Sequence, residues 1–205
     1  MKILQLGKFY PIKGGVEKVM FDLMSDISKK GVRCDMLCTS ENKSQKSGEI
    51  TINSLSKLII VSAFTEIAKT KISSSMIFKL REICNNYDII HIHHPDPMAA
   101  LALFLSGYKG KIVLHWHSDI LAQKKLLKLY QPLQKWLIKN ACVIIGTTEN
   151  YLQNSNALAN FKNKCFVIPI GIDDICNTPR IFKNLIDTKD ILGKKVIFSL
   201  GRLVS

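Results

Sequence analysis

The five histidines of the chain fall in two short segments whose side chains could bind a ligand or a metal ion. They are His91, His93, His94, His115 and His117. Alternate residues of a β-strand share a face, so we expect His91 to lie beside His93 and His115 beside His117. No cysteine or acidic residue completes a known metal-ligand spacing around them. Histidines at strand ends are also often packing or hydrogen-bonding residues, so the pattern predicts no metal site.

The second histidine segment continues into a more specific set of polar residues. His117, Ser118 and Asp119 follow an apolar run directly and precede a helical pattern. A helix cap needs only one polar side chain here, so three in succession favour a functional role. Ligands of open parallel sheets bind beyond the carboxyl ends of the strands, which is where this segment is expected.

Paired glycines mark a second candidate loop. Gly14 and Gly15 open the first long helical pattern, where a glycine allows close approach of a ligand and helix amides favour an anion. The alternative is an ordinary turn into a helix. The loop matches neither GxGxxG nor GxxxxGK[ST], which argues against a dinucleotide or P-loop site.

Strand and helix patterns alternate along the chain. The predicted strands are Lys2–Leu6, Val32–Cys38, Asp88–His93, Lys111–His115, Cys142–Gly146 and Cys165–Ile168. The predicted helices are Val16–Lys29, Met76–Cys84, Pro97–Leu105, Leu121–Asn140 and Glu149–Asn160, with Gly31, Asp96 and Thr148 as capping or terminating residues. Residues 40–50 resemble a loop, and 51–72 show no clear pattern. The order predicts an α/β fold with a Rossmann-like, doubly wound parallel sheet.

The pattern changes near the end of the chain. We predict a Rossmann-like domain over residues 1–172, a linker over 173–194, and the first strand and loop of a second, truncated domain over 195–205. An unpaired strand at 195–205 would need further chain to pair with.

Composition limits the class of protein. The chain has 205 residues and a formal net charge of +13. Because 47% of its residues are hydrophobic, a disordered chain is excluded. Its longest apolar stretch is far shorter than the ~20 residues of a membrane span, and no secretory signal is visible. Six cysteines form no CxxC pair and are predicted to be reduced, so we expect a cytoplasmic protein.

Much of the positive charge lies on one predicted helix. Its lysines project to one side and its apolar residues to the other; the lysines are Lys124, Lys128, Lys135 and Lys139, and the apolar residues are Leu126, Leu129, Tyr130, Leu133 and Leu137. This is either a solvated helix face or a face attracted to the anionic inner surface of the cytoplasmic membrane. No aromatic platform accompanies the lysines, which argues against nucleic acid.

The loops, taken in order, resemble the N-terminal half of retaining GT-B glycosyltransferases of group 1 (family four), especially enzymes of bacterial O-antigen, lipopolysaccharide or exopolysaccharide assembly, some of them mannosyltransferases. The matching segments are 1–11, 14–18, 88–93, 115–119, 147–151, 167–173 and 198–204. The resemblance implies transfer of a hexose from a nucleotide-diphosphate sugar to a lipid-linked or saccharide acceptor, without a metal or other cofactor.

The same resemblance implies roles for individual residues. Gly14 and Gly15 would lie beside the donor diphosphate and the acceptor, and His117 would contact the reacting sugar. Ser118 and Asp119 would shape the acceptor side, and Arg202 would neutralise the leaving diphosphate.

The family's donor-binding domain has no counterpart in the printed sequence, so we expect little transfer by this chain alone. Two alternatives remain open. The first is a non-catalytic module that docks on a membrane or on a separate C-terminal domain. The second is a Rossmann-fold enzyme such as an epimerase, which the missing GxGxxG argues against.

Overall fold

A computed structural model describes residues 1–12, 14–40, 47–67, 70–120, 124–171 and 195. Its strands are β1 (Lys2–Tyr10), β2 (Arg33–Ser40), β3 (Gly48–Asn53), β4 (Ser56–Val61), β5 (Thr65–Ile67), β6 (Thr70–Ile72), β7 (Ile89–His94), β8 (Lys111–Trp116), β9 (Val143–Gly146) and β10 (Cys165–Val167). Its α-helices are α1 (Gly15–Lys29), α2 (Ser74–Ile83), α3 (Pro97–Ser106), α4 (Lys124–Asn140) and α5 (Glu149–Asn154). Short 3-10 helices span Cys84–Asn86, Asn156–Leu158 and Lys162–Lys164.

Eight strands form one sheet in the order β10-β9-β8-β7-β1-β2-β4-β3. Every pair is parallel except β3 with β4, which is antiparallel. Strands β5 and β6 form a separate antiparallel pair. The α/β fold with a mainly parallel sheet is therefore confirmed. Because the order places β1 beside β7, residues far apart in the sequence meet at the centre of the sheet.

Two apolar cores cover the sheet. Met20 and Met24 of α1 pack with Met36 and Ile60 in one core. Helices α2 to α5 contribute to the other, where Leu80, Leu103 and the fully buried Trp116 are typical members. Burying a side chain of this size contributes about 1.5–3 kcal/mol. These helices hold the sheet rigid and fix the positions of its loop ends.

Three predicted helix boundaries are confirmed by their local contacts. The Asp96 carboxylate accepts the amide of Ala99 at 3.0 Å, and Thr148 Oγ1 accepts the amide of Tyr151 at 3.3 Å. Gly31 follows α1 with a φ of 82°, a left-handed conformation that glycine adopts without steric cost. Helices α3 and α5 therefore begin, and helix α1 ends, close to the predicted positions.

The structure corrects several other boundaries. Strand β1 runs four residues beyond Leu6 because a register shift between Leu6 and Phe9 lets it resume pairing with β2. Strand β3 begins at Gly48, inside the predicted loop over 40–50. The predicted helix Glu149–Asn160 ends as an α-helix at Asn154, and a 3-10 helix, Asn156–Leu158, follows it.

The chain divides into two compact units, Met1–Ile170 and Gly171–Ser205. Only Gly171 and Lys195 of the second unit are among the described residues. The predicted linker and second-domain strand, together with Arg202 and Cys176, lie outside them, so the predicted domain arrangement stays a prediction. The described cysteines, Cys34, Cys38, Cys84, Cys142 and Cys165, are free thiols. Across the described helices, none combines the length and apolar character that crossing a membrane requires.

Candidate functional site

A chain of three polar side chains crosses the sheet near the carboxyl ends of β1, β7 and β8. Gln5 Oε1 lies 2.7 Å from His93 Nε2, and His93 Nδ1 lies 2.9 Å from His117 Nε2. Gln5 and His93 are completely buried, whereas His117, the last of these three side chains, is half-buried. The predicted site residue His117 is thus anchored to the interior by two residues that the sequence reasoning gave no role.

Four of the histidines, His91, His93, His115 and His117, form a cluster of rings whose planes differ by 6° to 30°. The ring centroids of His115 and His117 are 4.1 Å apart, and those of His91 and His93 are 4.5 Å apart. His93 and His115 join the two pairs at 5.1 Å. This confirms that His91 shares a face with His93, and His115 with His117.

Burial keeps these imidazoles neutral. It lowers the pKa of His91 and of His117 from 6.5 to about 3, and that of His115 to about 4. The pKa of His93 is also well below 6.5, first because of burial and then because of neighbouring histidines. Lys8 lowers the pKa of His117 further, since a second positive charge there is unfavourable. At neutral pH the cluster therefore offers hydrogen bonds and not positive charge.

Three of the histidines bring ligand nitrogens close together. His91, His93 and His115 each offer one within 4.8 Å of the others, and all three are buried. Both ring nitrogens of His93, however, already face hydrogen-bond partners. His93 could therefore bind a metal ion only by giving up one of these two contacts. The absence of a metal remains our prediction.

The segment after β8 is held by contacts on both sides. Asp119 Oδ1 accepts hydrogen bonds from Trp116 Nε1 at 2.9 Å and from Ser155 Oγ at 2.8 Å, while its amide donates to Tyr151 Oη at 2.6 Å. The exposed residue Ser118 is fixed through its backbone, because its carbonyl accepts from His94 Nδ1 at 3.1 Å. These contacts fix the backbone that carries His117.

His94 contributes to this support through its ring as well. It stacks on Trp116 with centroids 3.7 Å apart and an angle of 2° between the planes. Gln134 Nε2 of α4 lies 3.0 Å from His94 Nε2, so the ring has a partner on each nitrogen. Burial lowers the pKa of His94 to about 3. His94 therefore acts as a neutral link between α4 and the segment after β8.

The irregular part of β1 is held against the loop that follows β7. Lys8 has a φ of 58°, and its amide donates to Asp96 Oδ2 at 2.6 Å. Lys8 Nζ donates to the carbonyl of Pro95, also at 2.6 Å. Asp96 thus has two functions, since it caps α3 and also fixes the bulge that brings a lysine to the edge of the sheet.

The two predicted glycines differ in their surroundings. Gly14 is the N-cap residue of α1, and a side chain there would collide with the carboxylate of Glu17, which is buried. A Cβ at Gly15 would meet open space. An anionic side chain of the protein therefore already lies at the N-cap of α1. Glu17 lies within the matching segment 14–18, but no local pattern predicted this contact.

A groove of about 590 Å³ runs along α4 beside Asp119. Its walls include the amides Gln131 and Gln134, the lysines Lys135 and Lys139, and apolar residues such as Phe161. The structure thus brings Asp119 together with two lysines of the predicted basic face. The predicted site residue Arg202 lies outside the described part of the chain.

The described side chains of α4, which do not include that of Leu126, agree with the predicted basic face except at one apolar position. Lys128, Lys135 and Lys139 are exposed, while the side chain of Lys124 lies outside the described set. Tyr130 and Leu137 are buried as predicted, but Leu129 is 81% exposed. A step of one residue turns a helix by about 100°, which carries Leu129 away from Tyr130 and onto the exposed arc. The predicted core position of Leu129 is therefore wrong.

Residues 13–174 match the family described as Glycosyltransferase Family 4. The O-antigen chain mannosyltransferase C of Escherichia coli is 31% identical over 175 residues, which make up 84% of this chain and 46% of that protein. D-rhamnosyltransferase WbpZ of Pseudomonas aeruginosa is 29% identical over 179 residues, 84% of this chain and 45% of that protein. The chain spans about half the length of the curated relatives it matches.

Solved structures share the fold. Sucrose-phosphate synthase from Thermosynechococcus elongatus matches with a TM-score of 0.60 at 15% identity, over 84% of this chain and 49% of that one. An alpha-glucosyltransferase in complex with UDP-glucose and DNA containing an abasic site matches with a TM-score of 0.52 at 15% identity, over 83% of this chain and 43% of that one. The family match, together with these relatives, confirms the resemblance found in the sequence, and the chain belongs to Glycosyltransferase Family 4, with a fold that corresponds to about half of a GT-B glycosyltransferase.

Proposed function

We propose that this chain forms the acceptor-side part of a retaining glycosyltransferase, which moves a hexose from a nucleotide-diphosphate sugar to a lipid-linked or saccharide acceptor during surface polysaccharide synthesis. The observation that supports it most is His117, a neutral histidine held at the carboxyl edge of the sheet with Asp119 two residues away. The curated relatives, an O-antigen chain mannosyltransferase and a D-rhamnosyltransferase, favour this reaction class. They differ in the sugar they are named for, so we propose no particular hexose.

Each candidate residue has a proposed role. His117 contacts the reacting sugar through a hydrogen bond. The open space at Gly15 lets the donor diphosphate or the acceptor approach the first turn of α1, while Gly14 and the Glu17 carboxylate define its edge. Asp119 and Ser118 shape the acceptor side, where Lys135 and Lys139 line the adjoining groove. Arg202 stabilises the diphosphate as it leaves, and this electrostatic contribution replaces a metal ion.

We further propose that the 205-residue chain has little or no transferase activity alone, since it matches less than half the length of its curated relatives. The test fuses the chain to the C-terminal half of one of those relatives. The fusion is assayed with labelled nucleotide sugars and lipid-linked acceptors, beside the chain alone. We expect transfer by the fusion only, and its loss in His117→Ala.

Two results would contradict the proposal. One is transfer by the isolated chain. The other is a folded fusion that binds a nucleotide sugar but transfers it to no acceptor, or whose rate is unchanged by His117→Ala. Lys57→Ala serves as the matched surface control, because its partner Glu49 lies on β3 at the far edge of the sheet.

We also propose that helices α3 and α4 dock on the inner face of the cytoplasmic membrane. The lysines of α4 lie beside exposed apolar residues, with Leu129 81% exposed and Phe104 of α3 49% exposed. Phe104 packs edge-on against Trp136 of α4 at 5.1 Å, so the two helices present one mixed surface. Each lysine near an anionic bilayer contributes about 1 kcal/mol, and apolar side chains that enter the interface add to this.

Sedimentation with vesicles tests the docking proposal. We expect the chain to bind vesicles rich in phosphatidylglycerol and not vesicles of phosphatidylcholine. The double change Lys128→Glu and Lys135→Glu should abolish binding, and Leu129→Ser should weaken it. The double change Lys29→Glu and Lys30→Glu, an equal charge change at the end of α1, is the control and should have a smaller effect, because α1 belongs to the other apolar core. Equal losses in both charge variants would show that net charge alone drives binding.

The same surface would support the second candidate function, a docking module without catalysis. Binding of vesicles by a chain whose fusion shows no transfer would favour that function.

A further inference from the structure

A fully buried glutamine in an otherwise apolar strand needs a physical reason. Gln5 lies in the middle of β1 between Leu4 and Leu6, and all three have no exposed surface. Burying an amide is unfavourable unless its polar atoms are hydrogen-bonded. Gln5 meets this requirement on both sides, since its Nε2 donates to Cys34 Sγ at 3.7 Å and its Oε1 faces His93 Nε2 at 2.7 Å.

The contact with His93 determines where the proton of that ring lies. An amide oxygen can only accept, so His93 Nε2 must carry a hydrogen and donate it to Gln5. His93 is neutral because burial disfavours its cation, so its other nitrogen, Nδ1, has a lone pair and no hydrogen. A neutral imidazole has one donor and one acceptor nitrogen, and here the glutamine decides which is which.

The same reasoning applies to the next ring. His93 Nδ1 lies 2.9 Å from His117 Nε2 and can only accept, so His117 Nε2 must donate. His117 is neutral as well, which leaves its Nδ1 as an acceptor. Among the described residues, His117 Nδ1 has no hydrogen-bond partner, whereas the His117 amide donates to the carbonyl of His94 at 3.1 Å.

We propose that Gln5 and His93 are positioning residues that fix His117 as its Nε2–H tautomer, so that His117 Nδ1 accepts a hydrogen bond from a hydroxyl group of the bound ligand. Under the proposed function, on which this last step rests, the hydroxyl belongs to the donor or the acceptor sugar. A ligand group that can only accept, such as a carbonyl or a phosphate oxygen, would be disfavoured at Nδ1. The device operates without any change in charge.

Nitrogen-15 NMR of the labelled chain tests the tautomers directly and needs no transfer activity. We expect long-range ¹H–¹⁵N correlations to show Nε2–H forms for both His93 and His117. We also expect a coupling across the hydrogen bond with the proton attached to His117. A proton attached to His93 Nδ1 in the wild-type chain would overturn the proposal.

Gln5→Met tests whether the glutamine enforces this arrangement. Methionine keeps the length of the side chain but leaves the His93 Nε2–H buried without an acceptor, which is unfavourable. In the reversed arrangement His93 carries its proton on Nδ1 and donates it to His117, which avoids this penalty. We therefore expect a second set of signals, in which the proton of the His93–His117 hydrogen bond is attached to His93 Nδ1. A single set identical to that of the wild type would refute the role of Gln5.

Two further variants complete the design. Gln5→Leu, which also removes the acceptor for His93 Nε2–H, should give the same second set of signals as Gln5→Met, and the wild-type tautomers test the proposal even if neither variant folds. His91→Phe is the matched control, because His91 stacks on His93 but has no hydrogen bond to it among the described residues. It should leave the His117 tautomer unchanged. Wild-type tautomers in an inactive fusion would contradict only the proposed function.

Discussion

Acid should destabilise this protein well before its carboxylates become protonated. Four histidines have pKa values lowered to about 3 or 4 in the fold, namely the buried His91, His94 and His115 and the half-buried His117. In the unfolded chain their pKa returns to about 6.5. Between these values the unfolded state binds more protons than the folded state, so stability falls as the pH falls. At pH values above 6.5 neither state is protonated, and the full stability is present.

The size of the effect follows from the unfolded pKa alone. Between pH 7.5 and pH 5.5 the unfolded form gains about a factor of ten for each histidine that stays neutral in the fold, or about 1.4 kcal/mol. The four histidines together give about 5 kcal/mol, which is comparable with the whole stability of many domains. His93 shifts in the same direction and adds to this loss. The result does not depend on how far below pH 5 the folded values lie.

Urea unfolding followed by circular dichroism at the two pH values measures this difference. His115→Phe is the sharpest variant, because both ring nitrogens of His115 are buried without a partner and no hydrogen bond is lost. We expect this variant to be at least as stable as the wild type at pH 7.5. Its loss at pH 5.5 should be smaller by about 1.4 kcal/mol, since one titrating group has been removed.

Two outcomes would refute the reasoning. The first is a wild-type chain that loses less than about 1.4 kcal/mol between pH 7.5 and 5.5, which is the contribution of a single histidine. The second is a His115→Phe variant with the same pH dependence as the wild type. Either would mean that the imidazoles gain protons without unfolding.

Two structural predictions use matched pairs of substitutions, with urea unfolding as the measurement. Gly146→Ala would place a methyl group 2.6 Å from Leu152 Cγ and should lower the free energy of unfolding by about 1–3 kcal/mol. Gly48→Ala meets open space and should change it by less than about 0.5 kcal/mol. Similar values for both variants would contradict the close contact between Gly146 and Leu152. Asp96→Ala removes both a helix cap and the acceptor of the Lys8 amide, so it should lower the free energy of unfolding by about 2–4 kcal/mol. Thr148→Ala removes a helix cap alone and should lower it by about 1 kcal/mol. Equal costs would show that the second hydrogen bond of Asp96 adds nothing.

Strands β1, β7, β8 and β9 were predictable because each is a short strand pattern that is followed by a helical pattern. Strand β7 and helix α3 are the clearest case, since Asp96 and Pro97 mark the helix start as the sequence predicts. The segment over 51–72 was not predictable. Its strands β3, β5 and β6 pair in the antiparallel direction with near neighbours, and partly exposed residues such as those of β5 show no sustained period. Pairing with β4 determines where β3 begins, and no local residue signals it.

The candidate site was predictable only in part, for a similar reason. The carboxyl-end rule places His117 and Asp119 correctly because it depends on local order along the chain. The contact between Gln5 and His93 joins residues 88 positions apart and depends on β1 lying beside β7. One signal was present in the sequence, because a glutamine inside the run Ile3 to Leu6 is unusual for a buried strand.

The lysines that contribute to the net charge of +13 and the histidine cluster lie in different electrostatic environments, so salt and acid act on them differently. Lysines such as Lys128 and Lys135 are exposed, so salt screens their attraction to anionic partners over about 10 Å at 0.1 M. The histidines are buried and neutral, so salt has little charge to act on there. Mild acid acts on the histidines instead, because unfolding lets the imidazoles become protonated while the exposed lysines keep their charge. Salt should therefore weaken surface binding without altering the site, and mild acid should disrupt the site while the surface charge is kept.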